Sequence, residues 1–431
     1  MEDIPKASKT IAAIRSNRIA EKVSEAKKRI IIDKSWWNSG PFEYFLLLIV
    51  TVLNFWYIFP FWGTPSVEDA FFSGPIVPLL TKFVQLWIGS FAYSLQYVNI
   101  VFFLMLPISL YFFVKKVTQR KLIAFLSIFF IILPLNYFAE TRIYGAFLSS
   151  DGAHIASLSV VPFALLALFD FLKSGNGKNL IIASLLSTLI VLISPFGFAT
   201  YLIFACILAF SEMLLGTGRR KLFRFLTILF FTGLLSAFWY NPAFSFWLLT
   251  GPLGVEVRGT ILKLIPVSLF AVPVLATFGF LLFDRKPALQ PVFLASFFTI
   301  AFLTISLAGG GIFPSSPSRY IPEIGFSLAF LLGVIIIKFF EWIPYFQQKT
   351  IFRKISFAIV FISLSLGILI GRSRLFSENS VLGIWTGVER GAIWQERDRF
   401  DGMYSVFGYG ITLIGVMGLT MVSLRSGKEN T

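Results

Sequence analysis

Apolar residues run along this chain in blocks close to bilayer length, separated by short polar segments that carry nearly all of the charges. Within the blocks no polar stripe recurs at helical spacing, and a helix apolar on every side must be buried in protein or in lipid. At a rise of about 1.5 Å per residue, about twenty residues cross the hydrocarbon core of a membrane. The blocks fall at 43–62, 96–114, 121–138, 154–172, 179–195, 198–215, 222–240, 261–283, 290–308, 321–340, 355–371 and 405–424. They predict an all-α, polytopic transmembrane helical bundle of about twelve spans. A further apolar stretch, 76–92, contains Pro78, Lys82 and Trp87, which predict a helix lying on the outer surface instead of a span.

The polar segments complete the layout. In residues 1–40, Ile11, Ile14, Ile19, Val23 and Ile30 recur among Lys and Arg. This predicts a basic cytoplasmic tail, either amphipathic on the inner leaflet or simply solvated. Residues 41–424 form one transmembrane domain with a long outer loop at 372–404, and 425–431 a second cytoplasmic tail. With both termini inside, the inner side carries 27 basic and 10 acidic residues and the outer side 10 and 11, with Glu43 at the edge of the first span. That asymmetry is the positive-inside rule, and moving the count by one span destroys it.

Composition then narrows the chemistry. Of 431 residues 56% are hydrophobic and 14% charged, against roughly 25% charged in soluble domains. The net charge of +15 comes from residues flanking spans, with no aromatic-interleaved basic motif, so no nucleic-acid partner is expected. A single cysteine, Cys206, excludes an intrachain disulfide, and a single histidine, His154, excludes bis-histidine haem ligation within the chain. The expected location is the cell membrane, multi-pass, with membrane lipids as the first partner.

The cytoplasmic loops are mostly short and basic, so candidate chemistry lies on the outer side. No Walker loop, GxGxxG after a strand, or HExxH is present, and Gly309-Gly310-Gly311 lacks the Lys-Ser/Thr of a phosphate loop. Carboxylates and arginines at span mouths remain. Glu68 and Asp69 follow the first span, where a carboxylate can act as general base on a hydroxyl or hold a divalent metal through oxygen; no dedicated metal ligands stand out. Arg319 and Arg142, each at a span mouth, can grip a phosphate bidentately. His154, Tyr320 and Trp87 complete the candidate substrate-binding set. Each of these charges has a plainer reading, that of marking a span end.

Four segments carry a likeness: GTPSVEDAFF with the later VQLWIGS; YGAFLSSDGAHIASLSVVPFALLALFDFL; LISPFGFATYL with LLSAFWYNPAF; and PSSPSRYIPEIGFSLAFLLG. Their order resembles the C-type (GT-C) glycosyltransferase superfamily, and more narrowly the prokaryotic membrane proteins described as related to 6-pyruvoyl-tetrahydropterin synthase. The resemblance implies an enzyme that takes sugar from a polyprenyl-phosphate donor on the extracytoplasmic face, with Asp69 or Glu68 as base or metal ligand. Two features depart from that pattern: Glu68 and Asp69 are adjacent, where Asp-x-Asp or Glu-x-Asp is common, and with 405–424 as the last span no soluble C-terminal domain is expected, where many members carry one. Two other functions fit the same layout. One is a non-catalytic subunit of a membrane complex, docking a protein through Trp385 and Trp394 of the 372–404 loop; the other is a transporter or lipid flippase.

Overall fold

The computed structural model describes residues 40–65, 74–149, 151–251, 287–307, 320–342 and 403–428, and every regular element among them is helical. In chain order these are α1 (Gly40–Ile58), α2 (Ile76–Ile88), α3 (Phe91–Thr118), α4 (Lys121–Ile131), α5 (Gly152–Ser174), α6 (Gly177–Ile193), α7 (Pro195–Leu214), α8 (Gly218–Ser236), α9 (Pro242–Thr250), α10 (Gln290–Leu307), α11 (Ile321–Trp342) and α12 (Met403–Lys428). The chain divides into two units, residues 1–53 and 54–431. Of the first, the opening turns of α1 are described, where Tyr44, Leu48 and Val52 stand exposed one above another at i, i+4 and i+8. An apolar stripe of this kind belongs against lipid.

In the second unit α5 is the central helix: 18 of its 23 residues are buried, and it packs against α3, α6, α7 and α8. Phe204 of α7 meets Phe298 and Phe302 of α10 and Phe326 of α11, while Phe113 of α3 lies against Phe330, so aromatic contacts tie four helices together. Local sequence sets the helix starts. Ser194 before Pro195 accepts a hydrogen bond from the N–H of Gly197, and Asn241 before Pro242 accepts one from Phe244. A capping oxygen followed by proline at the first helical position satisfies one orphan donor and presets φ. α5 ends at Gly175 (φ 69°), whose N–H returns to the Phe171 carbonyl.

Seven helices among the described residues are long and apolar enough to cross a membrane: α1, α3, α5, α7, α10, α11 and α12. The chain is therefore a multi-pass membrane protein. Ten of the twelve blocks read from the sequence overlie described helices; 261–283 and 355–371, like residues 1–39 of the tail and 372–402 of the long outer loop, lie outside the described residues, while 403 and 404, read as loop, open α12.

The block at 121–138 differs from its expectation. α4 stops at Ile131, because Pro134 has no N–H to offer a continuing helix. The chain then rewinds as Asn136–Glu140, Thr141–Ile143 and Tyr144–Leu148, the outer two with wide i→i+5 turns: Glu140 N–H reaches Leu135 O (3.4 Å) and Ser149 N–H reaches Tyr144 O (2.9 Å). Residues read as open loop are thereby drawn into the bundle, with Glu140, Thr141 and Arg142 buried. Gly325 makes this possible: a Cβ there would overlap the Tyr137 carbonyl, so α11 can press against the wide turn only without one. α2 has 13 residues, roughly 20 Å of helix, and is too short to span. It buries Val77 and Thr81 and exposes Leu79, Phe83, Leu86 and Trp87.

Charges collect at the end of the bundle where α5 finishes. Lys116 pairs with Asp170 (2.8 Å), and Arg120 with Glu341. The buried Glu212 accepts from Lys221 (2.6 Å) and Gln290 (2.6 Å), with Lys173 at 3.8 Å, which joins α5, α7, α8 and α10 at one carboxylate.

Candidate functional site

At the opposite end, where α5 and α11 begin, a histidine lies between two carboxylates. His154 Nδ1 is 3.1 Å from Asp151 Oδ2, and Nε2 is 2.6 Å from Glu323 Oε1. His154 and Glu323 are buried, whereas Asp151 keeps 13% of its side chain exposed. An isolated charge in this setting is prohibitively costly, so burial requires that each ring nitrogen meet an oxygen. Asp151 does so from the residue before α5, three positions from His154, and Glu323 from the first turn of α11.

The surrounding residues hold the ring in place. The Phe196 ring stands edge-on to the imidazole at 4.7 Å, and Tyr320 lies 5.3 Å from Phe196. Ser157 donates to the His154 carbonyl (2.6 Å). A Cβ at Gly197 would collide with the Ser157 hydroxyl, so the start of α7 reaches α5 only because that position is glycine. Glu323 Oε2 has no hydrogen-bond partner among the described residues. The three groups form an acid–imidazole–acid chain from a partly solvated carboxyl to a fully buried one, an arrangement able to store or relay a proton.

Of the candidates from sequence, His154 and Tyr320 come together here. Glu68, Asp69 and Arg319 lie outside the described residues. Their described neighbours are placed: Gln96 Nε2 donates to Phe61 O and Thr64 Oγ1 (3.1 Å each), and Gly74 N–H donates to Ile193 O (2.7 Å), three residues before Phe196. Arg142 is fully buried, and its contacts are carbonyls and a ring. Nη2 donates to Ile131 O (2.7 Å), Nε donates to Phe138 O (3.3 Å), and the guanidinium lies 4.6 Å from the Phe103 ring centroid. Its Nη1 has no partner among the described residues. Burial pulls its pKa down to about 9, which leaves it a cation at neutral pH. Trp87 stands exposed on α2 against Phe83 (4.7 Å), and no contact links it to His154.

Asp151, Glu323 and Phe196 were not among the candidate site residues. Asp151 had a signal, an acid three residues before a histidine at a helix start. Glu323 had the signal of a carboxylate at a span mouth, beside Arg319, but its pairing with a residue 169 positions away had none. Among the described residues no three His, Cys, Asp or Glu side chains could hold a metal ion; the two carboxylates here occupy opposite nitrogens of one ring.

No protein-family model matches the chain, and no characterised protein matches it by sequence. Among solved structures it is similar to the oligosaccharyltransferase of Archaeoglobus fulgidus, crystallised with a disulfide-tethered acceptor peptide that contains an Asn-Val-Thr sequon. The identity is 13% and the TM-score 0.43, over 80% of this chain and 56% of that one. The chain thus spans little more than half the length of that enzyme. The narrower likeness to proteins related to 6-pyruvoyl-tetrahydropterin synthase finds no support in these comparisons.

Proposed function

We propose that this protein is a GT-C-like membrane glycosyltransferase that uses a polyprenyl-phosphate-linked sugar on the extracytoplasmic face. One observation carries the reading. Three chain segments distant in sequence gather around His154, namely the start of α5, the α6–α7 turn with Phe196, and the start of α11 with Tyr320 and Glu323, and Gly74 is held to Ile193 at the last turn of α6. Gly74 follows Asp69 by five residues and Tyr320 directly follows Arg319, which supports the reading that both sets of candidates serve one site.

In this reading Asp69 or Glu68 takes the proton from the acceptor nucleophile as that atom bonds to the anomeric carbon. The anomeric carbon–oxygen bond to phosphate breaks, and the polyprenyl phosphate leaves with its bonding electrons, its charge met by Arg319. His154, held by Asp151 and Glu323, is a positioning residue that fixes the mouths of α5 and α11. The charge asymmetry of the loops supports an outward-facing site. The test is an E68Q/D69N allele in the native host. Loss of a glycolipid or glycan species by mass spectrometry, at normal protein level, is expected; an unchanged product profile refutes the reading.

A second reading, transport, is favoured by the buried ionisable chain itself, since such groups inside membrane bundles often line ion pathways. Proton-coupled flux in proteoliposomes, abolished by His154→Ala, would select it over transfer.

A further inference from the structure

α8 opens Gly218-Arg219-Arg220-Lys221 and adds Arg224 one turn later. Four cations in the first two turns oppose the positive end of the helix macrodipole. Two of them are accounted for. Lys221 reaches Glu212, and Arg224 Nη1 donates to Leu172 O (2.7 Å) and Lys173 O (3.2 Å) at the negative end of α5. Arg219 and Arg220 are exposed, and neither side chain has a hydrogen-bond or ion-pair partner among the described residues. The Arg219 guanidinium lies 6.0 Å from the Phe223 ring centroid.

Phe223, Leu226 and Phe230 follow Arg219 at i+4, i+7 and i+11 and are 59%, 48% and 62% exposed. This places the two cations at the head of one apolar strip about 10 Å long. Lys116 pairs with Asp170, and Lys173 and Lys221 lie at Glu212, so Arg219, Arg220 and Arg224 carry charge that no carboxylate among the described residues pairs with.

We propose that this face of α8 binds an anionic phospholipid. The headgroup phosphate sits between the positive charges of Arg219 and Arg220, and an acyl chain lies along Phe223, Leu226 and Phe230. The strip selects a lipid over a free anion, and the surplus charge selects an anionic lipid over a zwitterionic one. The site stands at the opposite end of α5 from His154 and does not depend on the transfer reaction.

The experiment titrates the detergent-purified full chain with phosphatidylglycerol, phosphatidylcholine or inorganic phosphate and follows thermal unfolding. Phosphatidylglycerol should raise the midpoint at a concentration where phosphatidylcholine and phosphate do not. R219Q/R220Q should unfold at the wild-type midpoint without lipid and need on the order of tenfold more phosphatidylglycerol for the same shift. R219K/R220K should keep most of the response. Equal shifts from both lipids, a shift from phosphate alone, an undiminished response in R219Q/R220Q, or loss of the response in R219K/R220K would each overturn the proposal.

Discussion

Replacing Glu323 by Ala removes the acid 2.6 Å from His154 Nε2, at a place where both side chains are at most 1% exposed. Loss of one partner from a buried pair costs about 3–5 kcal/mol, because the other is left desolvated with nothing in exchange. His154→Ala should cost a similar amount, since the Glu323 carboxylate would then have neither its ring partner nor, at Oε2, any other among the described residues. The double variant strands neither charge, so it should fall short of the sum by about 1–3 kcal/mol, the range for coupled neighbours. Glu323→Gln keeps an acceptor oxygen at nearly the same place and should cost about 1–2 kcal/mol. Unfolding in mixed micelles with rising SDS fraction, read by tryptophan fluorescence, measures all four. Additivity of the two alanine variants to within about 0.5 kcal/mol would refute the claim that these groups act as a unit.

Glu212→Ala should destabilise the opposite end by about 3 kcal/mol in the same assay, because Lys221 and Gln290 both lose a buried acceptor; Glu212→Gln should cost less, and equal losses would contradict the pairing. Gly197→Val and Gly325→Val should each cost at least about 2 kcal/mol through overlap with Ser157 and the Tyr137 carbonyl, whereas Gly233→Ala, whose added Cβ meets open space, should be neutral or slightly stabilising; similar losses at all three would refute the close-approach argument. Spin labels at Phe83 and Leu86 of α2 should be accessible to lipid-soluble oxygen and shielded from a water-soluble relaxant, and the reverse pattern would remove α2 from the membrane interface.

Much of the bundle was legible because the bilayer imposes a length rule, and apolar blocks obey it with little reference to the rest of the chain. α3, α5, α7, α10 and α11 stand where the blocks lie. The rule fails at 132–148, where Pro134 ends α4 and the following polar residues, which read as loop, fold inward. Their burial depends on a glycine almost two hundred residues away, Gly325, and no local pattern reports that. Arg142 illustrates the same point. Its position at a span mouth suggested a phosphate clamp; its burial, with Nε and Nη2 on two carbonyls, the Phe103 ring beside it and Nη1 without a partner among the described residues, left no trace in the local sequence. At the site, His154 and Tyr320 were legible as polar groups at helix starts. Their convergence through Glu323 and Phe196 is a tertiary fact, since pairing between residues far apart in sequence leaves no periodic trace.

The central claim is that the first outer segment and the start of α11 share one site. It is tested most directly by distance. With Cys206 replaced by Ala, cysteines at positions 69 and 319 of the full chain can be treated in native membranes with bis-maleimides of graded length. Efficient intramolecular cross-linking by reagents of about 10 Å is expected, the span of one phosphosugar between a base and a phosphate clamp. Cross-linking only by reagents longer than about 20 Å would place carboxylate and arginine too far apart for one bound donor to bridge, and would contradict the transferase account.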